Sequence, residues 1–168
     1  MTTFGDAVQF VNDFGDARSG QLDGPVGKPY TPHWMVGHLF GDLVRREAGG
    51  EPYEGQLLVA WVVLCRVRSP ASWWGRTPIT VMLAPKQFSC YDHVTDTEPT
   101  GAGVAAFLGT LSADRRCERV AEAAMSGWLE FPEVMTHYHA LSVSPSWASA
   151  PGMTFVREVG GHRFYCED

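Results

Sequence analysis

Between Val36 and Val44 the apolar residues Val36, Leu39, Phe40, Leu43 and Val44 recur at three- and four-residue steps, the spacing of one helix face. Thr31-Pro32 ahead of them offers a capping hydroxyl and a proline at the first helical position. The pattern predicts a helix from about Pro32 to Ala48. Asp42, Arg45 and Arg46 fall off the apolar stripe, whereas Glu47 continues it, three residues after Val44 and four after Leu43. Leu57 to Cys65 is an unbroken apolar run of nine residues, which periodicity alone cannot assign to helix or strand. Pro52 just ahead of it favours a helix, from about Tyr53 to Val67. Gly49-Gly50 between the two segments is expected to supply the left-handed conformations that end the first helix. A helical hairpin results.

Beyond it, Ser69 to Pro78 reads as a loop and Ile79 to Leu83 as a turn of helix. A loop over Pro85–Tyr91 and an exposed polar loop over Asp92–Gly101 follow. Val104 to Leu111 predicts a short helix, and Ala113 to Ser126 a longer one capped by Ser112 and ended by Gly127. The period then changes. Thr136 to Ala140 alternates, placing His137 and His139 on one face of a strand and Tyr138 on the other. Val156–Val159 and His162–Cys166 read as strands joined by Gly160-Gly161, a hairpin signal. The expected fold is α+β: a mainly helical domain over residues 31–168 with a small antiparallel sheet in its C-terminal third. Residues 1–30 are expected to form an N-terminal extension, rich in Gly, Asp and Pro from Gly15 onward.

Composition narrows the function classes. A chain of 168 residues, 45% hydrophobic and 19% charged, has enough apolar content for one packed core. Its formal net charge of −6 opposes binding to nucleic acid or to an anionic membrane surface. Cys65, Cys90, Cys117 and Cys166 are far apart and form no C-x-x-C pair, so the expectation is free thiols. A Cys nucleophile beside a His is the sharper alternative. The first twenty residues show neither a basic start nor an apolar core segment, so no leader peptide is expected. Nor is a membrane span, and the expected state is a monomer.

The candidate chemistry centres on R-E-A-G-G-E-P-Y-E-G-Q, Arg46 to Gln56, with Glu47, Glu51 and Glu54 in eight residues. A carboxylate on the buried side of a helix's last turn is disfavoured as an anion, which suits a proton donor. Alternatively, Glu47 turns to solvent or pairs with Arg45 or Arg46. Glu51 and Glu54 have a simpler explanation, because a helix start stabilises negative charge. His137, His139 and His162 raise a metal-hydrolase alternative, although no H-E-x-x-H signature accompanies them.

The stretch E-A-x-G-E-P-Y-E-G-Q, with an apolar helix ending in Arg66-Val67, resembles the catalytic domain of the SleB-type cell-wall hydrolases. The resemblance continues through Trp73–Gly75, Pro85–Cys90, Thr136–Ala140, Pro145–Trp147 and Gly160–Tyr165, in order, over roughly residues 33 to 166. It implies a lysozyme-like fold and cleavage of peptidoglycan glycan strands, either as a lytic transglycosylase or as a muramidase, without a cofactor or metal. Glu47 would be the general acid; Glu54, whose place at a helix start favours its charged form, would be a second catalytic carboxylate that stabilises positive charge at the anomeric centre. Gln87, Ser89, His137, Tyr138, His139, Trp147 and His162 would line the substrate site. Two positions depart from the family pattern: Cys65 stands where an Asn is usual, and Gly49 where an Arg is common. A further alternative is a catalytically silent glycan-binding module of a phage particle, whereas the glycan-cleaving enzyme fits a phage or prophage endolysin. An endolysin would stay in the host cytoplasm until released to the wall.

Overall fold

The central apolar run is a helix, and the domain is built round it. The computed structural model describes residues 3, 5, 32–95 and 100–168. Helix α1 spans Pro32–Ala48 and α2 spans Tyr53–Arg68. Leu58, Val59, Ala60, Val62 and Val63 of α2 are all fully buried, as a helix surrounded on every side requires. Four shorter helices follow: α3 (Pro78–Met82), α4 (Asp92–Thr95), α5 (Gly101–Leu108) and α6 (Arg115–Met125). Helix α6 packs on α1 and α2 through Cys117, Val120, Ala121 and Ala124.

Three strands, β1 (His137–Ala140), β2 (Met153–Val159) and β3 (His162–Glu167), form an antiparallel sheet in the order β1-β3-β2. Its register pairs Tyr138 with Phe164 and Ala140 with His162, so these four residues share one face. Phe164 is fully buried there and belongs to the helical core. His137, His139, Tyr165 and Arg163 take the opposite face. The β2–β3 turn has Val159 paired with His162 across Gly160-Gly161. Gly160 has φ of +58°, which the first central position of a type II′ turn needs.

The α+β expectation and the hairpin stand, but several local expectations do not. Neither Gly49 nor Gly50 has positive φ. The helical hydrogen bonding instead runs on through Gly49 N–H to the Arg45 carbonyl at 3.1 Å, and Glu51 N–H reaches the Ala48 carbonyl at 3.0 Å. Gly49 is required for closeness, since a Cβ there would stand 2.4 Å from the Arg45 oxygen. Gln56 completes the junction by donating to the Ala48 and Gly49 carbonyls at 3.0 and 3.3 Å, satisfying the end of α1. Pro52 is the N-cap of α2 rather than its first helical residue.

The supposed polar loop after Tyr91 contains α4, and α5 starts at Gly101 under a Thr100 cap rather than at Val104. Asp114, not Ser112, caps α6, accepting from the N–H groups of Arg116 and Cys117 at 2.9 and 2.8 Å. Ser112 serves α1 instead. Its N–H donates to Asp42 at 3.0 Å and its carbonyl accepts from Arg45 at 2.8 Å. Asp42, off the apolar stripe, is nonetheless fully buried. Its carboxylate also accepts from Arg45 (3.2 Å), Arg46 (2.6 Å) and the Tyr91 hydroxyl (2.9 Å). Of the N-terminal extension, all but residues 3 and 5 lie outside the described residues, as does Thr31, the expected cap of α1; Gly5 packs near Leu83 and Thr80.

Candidate active site

Glu47 is half-buried on the last turn of α1, facing β1 and the loop before α4. The Tyr138 hydroxyl donates to its Oε2 at 2.8 Å, across 91 residues of sequence. Burial, with the nearby Glu47 carboxylate adding, raises the pKa of the Cys90 thiol well above the usual thiol value. Arg45 and Arg46 are both engaged by Asp42 and not by Glu47, so the pairing alternative for Glu47 does not hold. Strand alternation explains the Tyr138 contact. Tyr138 points to the inner face, where its ring lies 5.7 Å from Phe164 and 5.3 Å from His162. Burial, then the charge and hydrogen bond of Glu47, raise the Tyr138 pKa well above the usual phenol value. Tyr138 therefore stays a donor to Glu47 throughout the physiological range.

Arg66 closes this region. It is 5% exposed, its Nε donates to the Thr136 carbonyl at 2.7 Å, and its guanidinium lies 5.1 Å over Phe88 and 5.7 Å over Trp74. Burial lowers its pKa to about 10, against the opposing pull of Tyr138, Glu167 and Glu47. It remains a cation at neutral pH, with a buried Nη1 that has no hydrogen-bond partner. The segment Gln87–Cys90 reaches the site through Cys90 and Phe88. Gln87 is half-buried on that segment and Ser89 is exposed, opening a short 3-10 turn over Ser89–Tyr91.

The other two carboxylates of the acidic stretch have partners of their own. Glu51 accepts from the Gly161 N–H at 2.6 Å, pinning the β2–β3 turn to the start of α2. Glu54 is exposed and ion-paired with Arg157 of β2 at 3.3 Å. The structure thus brings Glu47 and Tyr138 together and holds Glu54 by a sheet residue.

The histidines divide. His137 and His139 lie on the outer face with Trp147, whose ring is 5.2 Å from one and 5.7 Å from the other. His139 Nδ1 lies 2.8 Å from the Ala140 carbonyl and Nε2 lies 3.1 Å from the Tyr165 hydroxyl. A carbonyl only accepts, so the proton is on Nδ1, and in the neutral ring Nε2 accepts from Tyr165. Burial, with Arg66 adding, lowers the His137 pKa to about 4. His162 sits on the inner face, its Nδ1 3.6 Å from Glu51 Oε1. With the three imidazoles split between two faces of one sheet they cannot converge as a tripod. Among the described residues no three His, Cys, Asp or Glu side chains are grouped to hold a metal ion.

The cysteines are free, and burial is the first cause raising the pKa of each. Such thiols stay protonated and make poor nucleophiles, which removes the Cys–His alternative. Sequence reasoning missed Cys90 as a neighbour of Glu47. Its only signal was its place in Pro85–Cys90, a motif of the resemblance.

The profile of the cell wall hydrolase family matches residues 50–165, well over half of the chain. The chain belongs to that family. The matched segment begins three residues after Glu47, so the family match does not include that residue. The fold agrees with two solved structures. One is the catalytic domain of the SleB protein of Bacillus cereus: TM-score 0.58, 25% identity, covering 86% of this chain and 97% of that one. The other is the catalytic domain of the germination-specific lytic transglycosylase SleB of Bacillus anthracis: TM-score 0.57, 24% identity, covering 84% and 98%. No curated protein matches the chain. As a family member the enzyme degrades peptidoglycan.

Proposed function

We propose that the enzyme cleaves the β-1,4 bond between N-acetylmuramic acid and N-acetylglucosamine by non-hydrolytic transglycosylation, with Glu47 as its single acid and base. The observation that carries this reading is the Tyr138–Glu47 hydrogen bond at the end of α1, with Glu51 and Glu54 each held by another partner. Protonated Glu47 gives its proton to the glycosidic oxygen as the C1–O bond breaks. The muramic 6-hydroxyl then attacks C1, and its proton passes to the Glu47 carboxylate. A 1,6-anhydro ring forms, no water is consumed, and Glu47 ends protonated as it began. Tyr138, a donor throughout, fixes the carboxyl rotamer and supports the anionic intermediate state. Gln87, Ser89, His137, His139 and Trp147 are the side chains proposed to contact sugar around it, with His162 bracing Tyr138. A hydrolase working through water needs a second free carboxylate near the first. The engagement of Glu51 and Glu54 supports the single-acid route, as does the lytic transglycosylase among the structural neighbours.

The test is the mass of the muropeptides released from purified sacculi. Transglycosylation gives products one water lighter than hydrolysis, without label from oxygen-18 water. Labelled reducing ends would overturn the scheme.

A further inference from the structure

The chain carries 13 Lys and Arg against 19 Asp and Glu, and its substrate polymer is itself acidic. Yet three arginines gather round one concavity. A cavity of about 510 Å³ is lined by Tyr53, Arg115, Arg116 and Arg119. Tyr53 opens α2 and is 41% exposed, and the arginines occupy the first two turns of α6. The Arg116 guanidinium lies 5.8 Å from the centre of the Tyr53 ring. Arg45, Arg46, Arg157 and Arg163 each pair with a carboxylate. Among the described residues, Arg115, Arg116 and Arg119 form no ion pair. Asp114, next to Arg115, is committed to the backbone N–H groups that it caps, while Glu118 and Glu122 share the arginines' helix without an ion pair to them among the described residues.

The described lining of the cavity includes neither Glu47 nor Tyr138. Arg45 reaches the Ser112 carbonyl at the approach to α6, while Glu47 reaches Tyr138. Two residues along a helix turn about 200°. Glu47 and the arginine cavity thus flank the end of α1 on different sides.

Guanidinium forks match carboxylates, and an exposed tyrosine ring takes the flat apolar face of a sugar or an aliphatic side chain. The polymer that the enzyme degrades carries both, as sugars bearing carboxylate-rich peptide stems. Among the described lining residues one aromatic ring stands with three cations, less apolar area than insertion into lipid requires. The net charge of −6 opposes nucleic acid.

We propose that this cavity is a second peptidoglycan-binding site. It takes stem-peptide carboxylates on Arg115, Arg116 and Arg119, with Tyr53 against the adjoining apolar face. The inference rests on the reading that the enzyme acts on peptidoglycan. The local positive patch then offsets the repulsion between an acidic protein and an acidic wall.

The test uses Glu47→Gln protein, so that bound polymer is not cut, with and without Arg115→Gln and Arg119→Gln. Co-sedimentation is measured with purified sacculi and with sacculi whose carboxylates have been amidated. The two arginine substitutions should weaken binding to native sacculi at least about tenfold, the loss expected when even one charge-assisted hydrogen bond is removed. Amidation should weaken the parent strongly and the substituted protein, which keeps Arg116, much less. Equal binding by both proteins, or equal loss on amidation in both, would overturn the proposal. So would binding to phosphatidylglycerol vesicles or to a single-stranded oligonucleotide that the substitutions abolish while sacculus binding persists. Muropeptide release by protein with Glu47 intact is read separately. Its absence would refute the catalytic reading and leave the binding comparison standing.

Discussion

Replacing Tyr138 with Phe isolates the contact on which the site depends. The substitution keeps the ring, and with it the packing against Phe164 at 5.7 Å and His162 at 5.3 Å. It removes one oxygen, the donor to Glu47 at 2.8 Å. A hydrogen bond to a carboxylate contributes about 1.5–3 kcal/mol. Lost from the transition state alone, that lowers kcat/KM by about 10- to 150-fold at 1.4 kcal/mol per decade. The assay is clearance of a suspension of purified sacculi, with initial rates taken over a range of substrate. Thermal unfolding run alongside should show little change, because the hydroxyl's lost partner is itself half-exposed and water can replace the donor. The raised Tyr138 pKa also means that its ionisation contributes no alkaline limb below about pH 10 in the wild type. Rates within twofold of wild type for Tyr138→Phe, on a protein of unchanged fold, would refute the role given to this contact.

Two further outcomes concern the scaffold. Asp42→Ala should destabilise the fold by about 3–5 kcal/mol in urea unfolding, because it leaves Arg46, Tyr91 and the Ser112 N–H without their buried acceptor; a cost below about 1 kcal/mol would contradict the clamp. His137 has a folded pKa of about 4, below the ordinary 6.5, so between those values the unfolded chain binds more protons. Its contribution is full above about pH 6.5 and is lost as pH falls toward about 4. On the order of 1–2 kcal/mol is expected after screening of a half-buried ring. His137→Gln should therefore flatten the stability–pH curve in that window, and an unchanged slope would count against the assignment.

Much of this was legible in the residues, and what was not has a common physical cause. The α1 stripe, the helical reading of Leu57–Cys65 and the Gly160-Gly161 hairpin are local patterns, and each appears as read. Strand alternation at Thr136–Ala140 correctly separated Tyr138 from the two histidines. Asp42 was misjudged because its acceptors' partners, Tyr91 and Ser112, come from 49 and 70 residues away. Periodicity sees one helix, whereas burial is decided by what packs on it. The same limit hid Cys90 and Arg66. At Gly49 the residue type was informative but the mechanism differed, since close backbone approach and not left-handed geometry demands glycine there. His162 shows the converse. Its spacing invited a metal reading that the sheet register, pairing it with Ala140, does not support.

The central claim is that Glu47 drives cleavage of the glycan strand. Its most direct test is mass spectrometry of the soluble products of sacculi digested by wild-type and Glu47→Gln protein, matched for fold and amount. Wild type should release anhydro-muropeptides, one water lighter than hydrolytic products, and Glu47→Gln should lower their yield by at least about a hundredfold. Comparable release by Glu47→Gln would contradict the account.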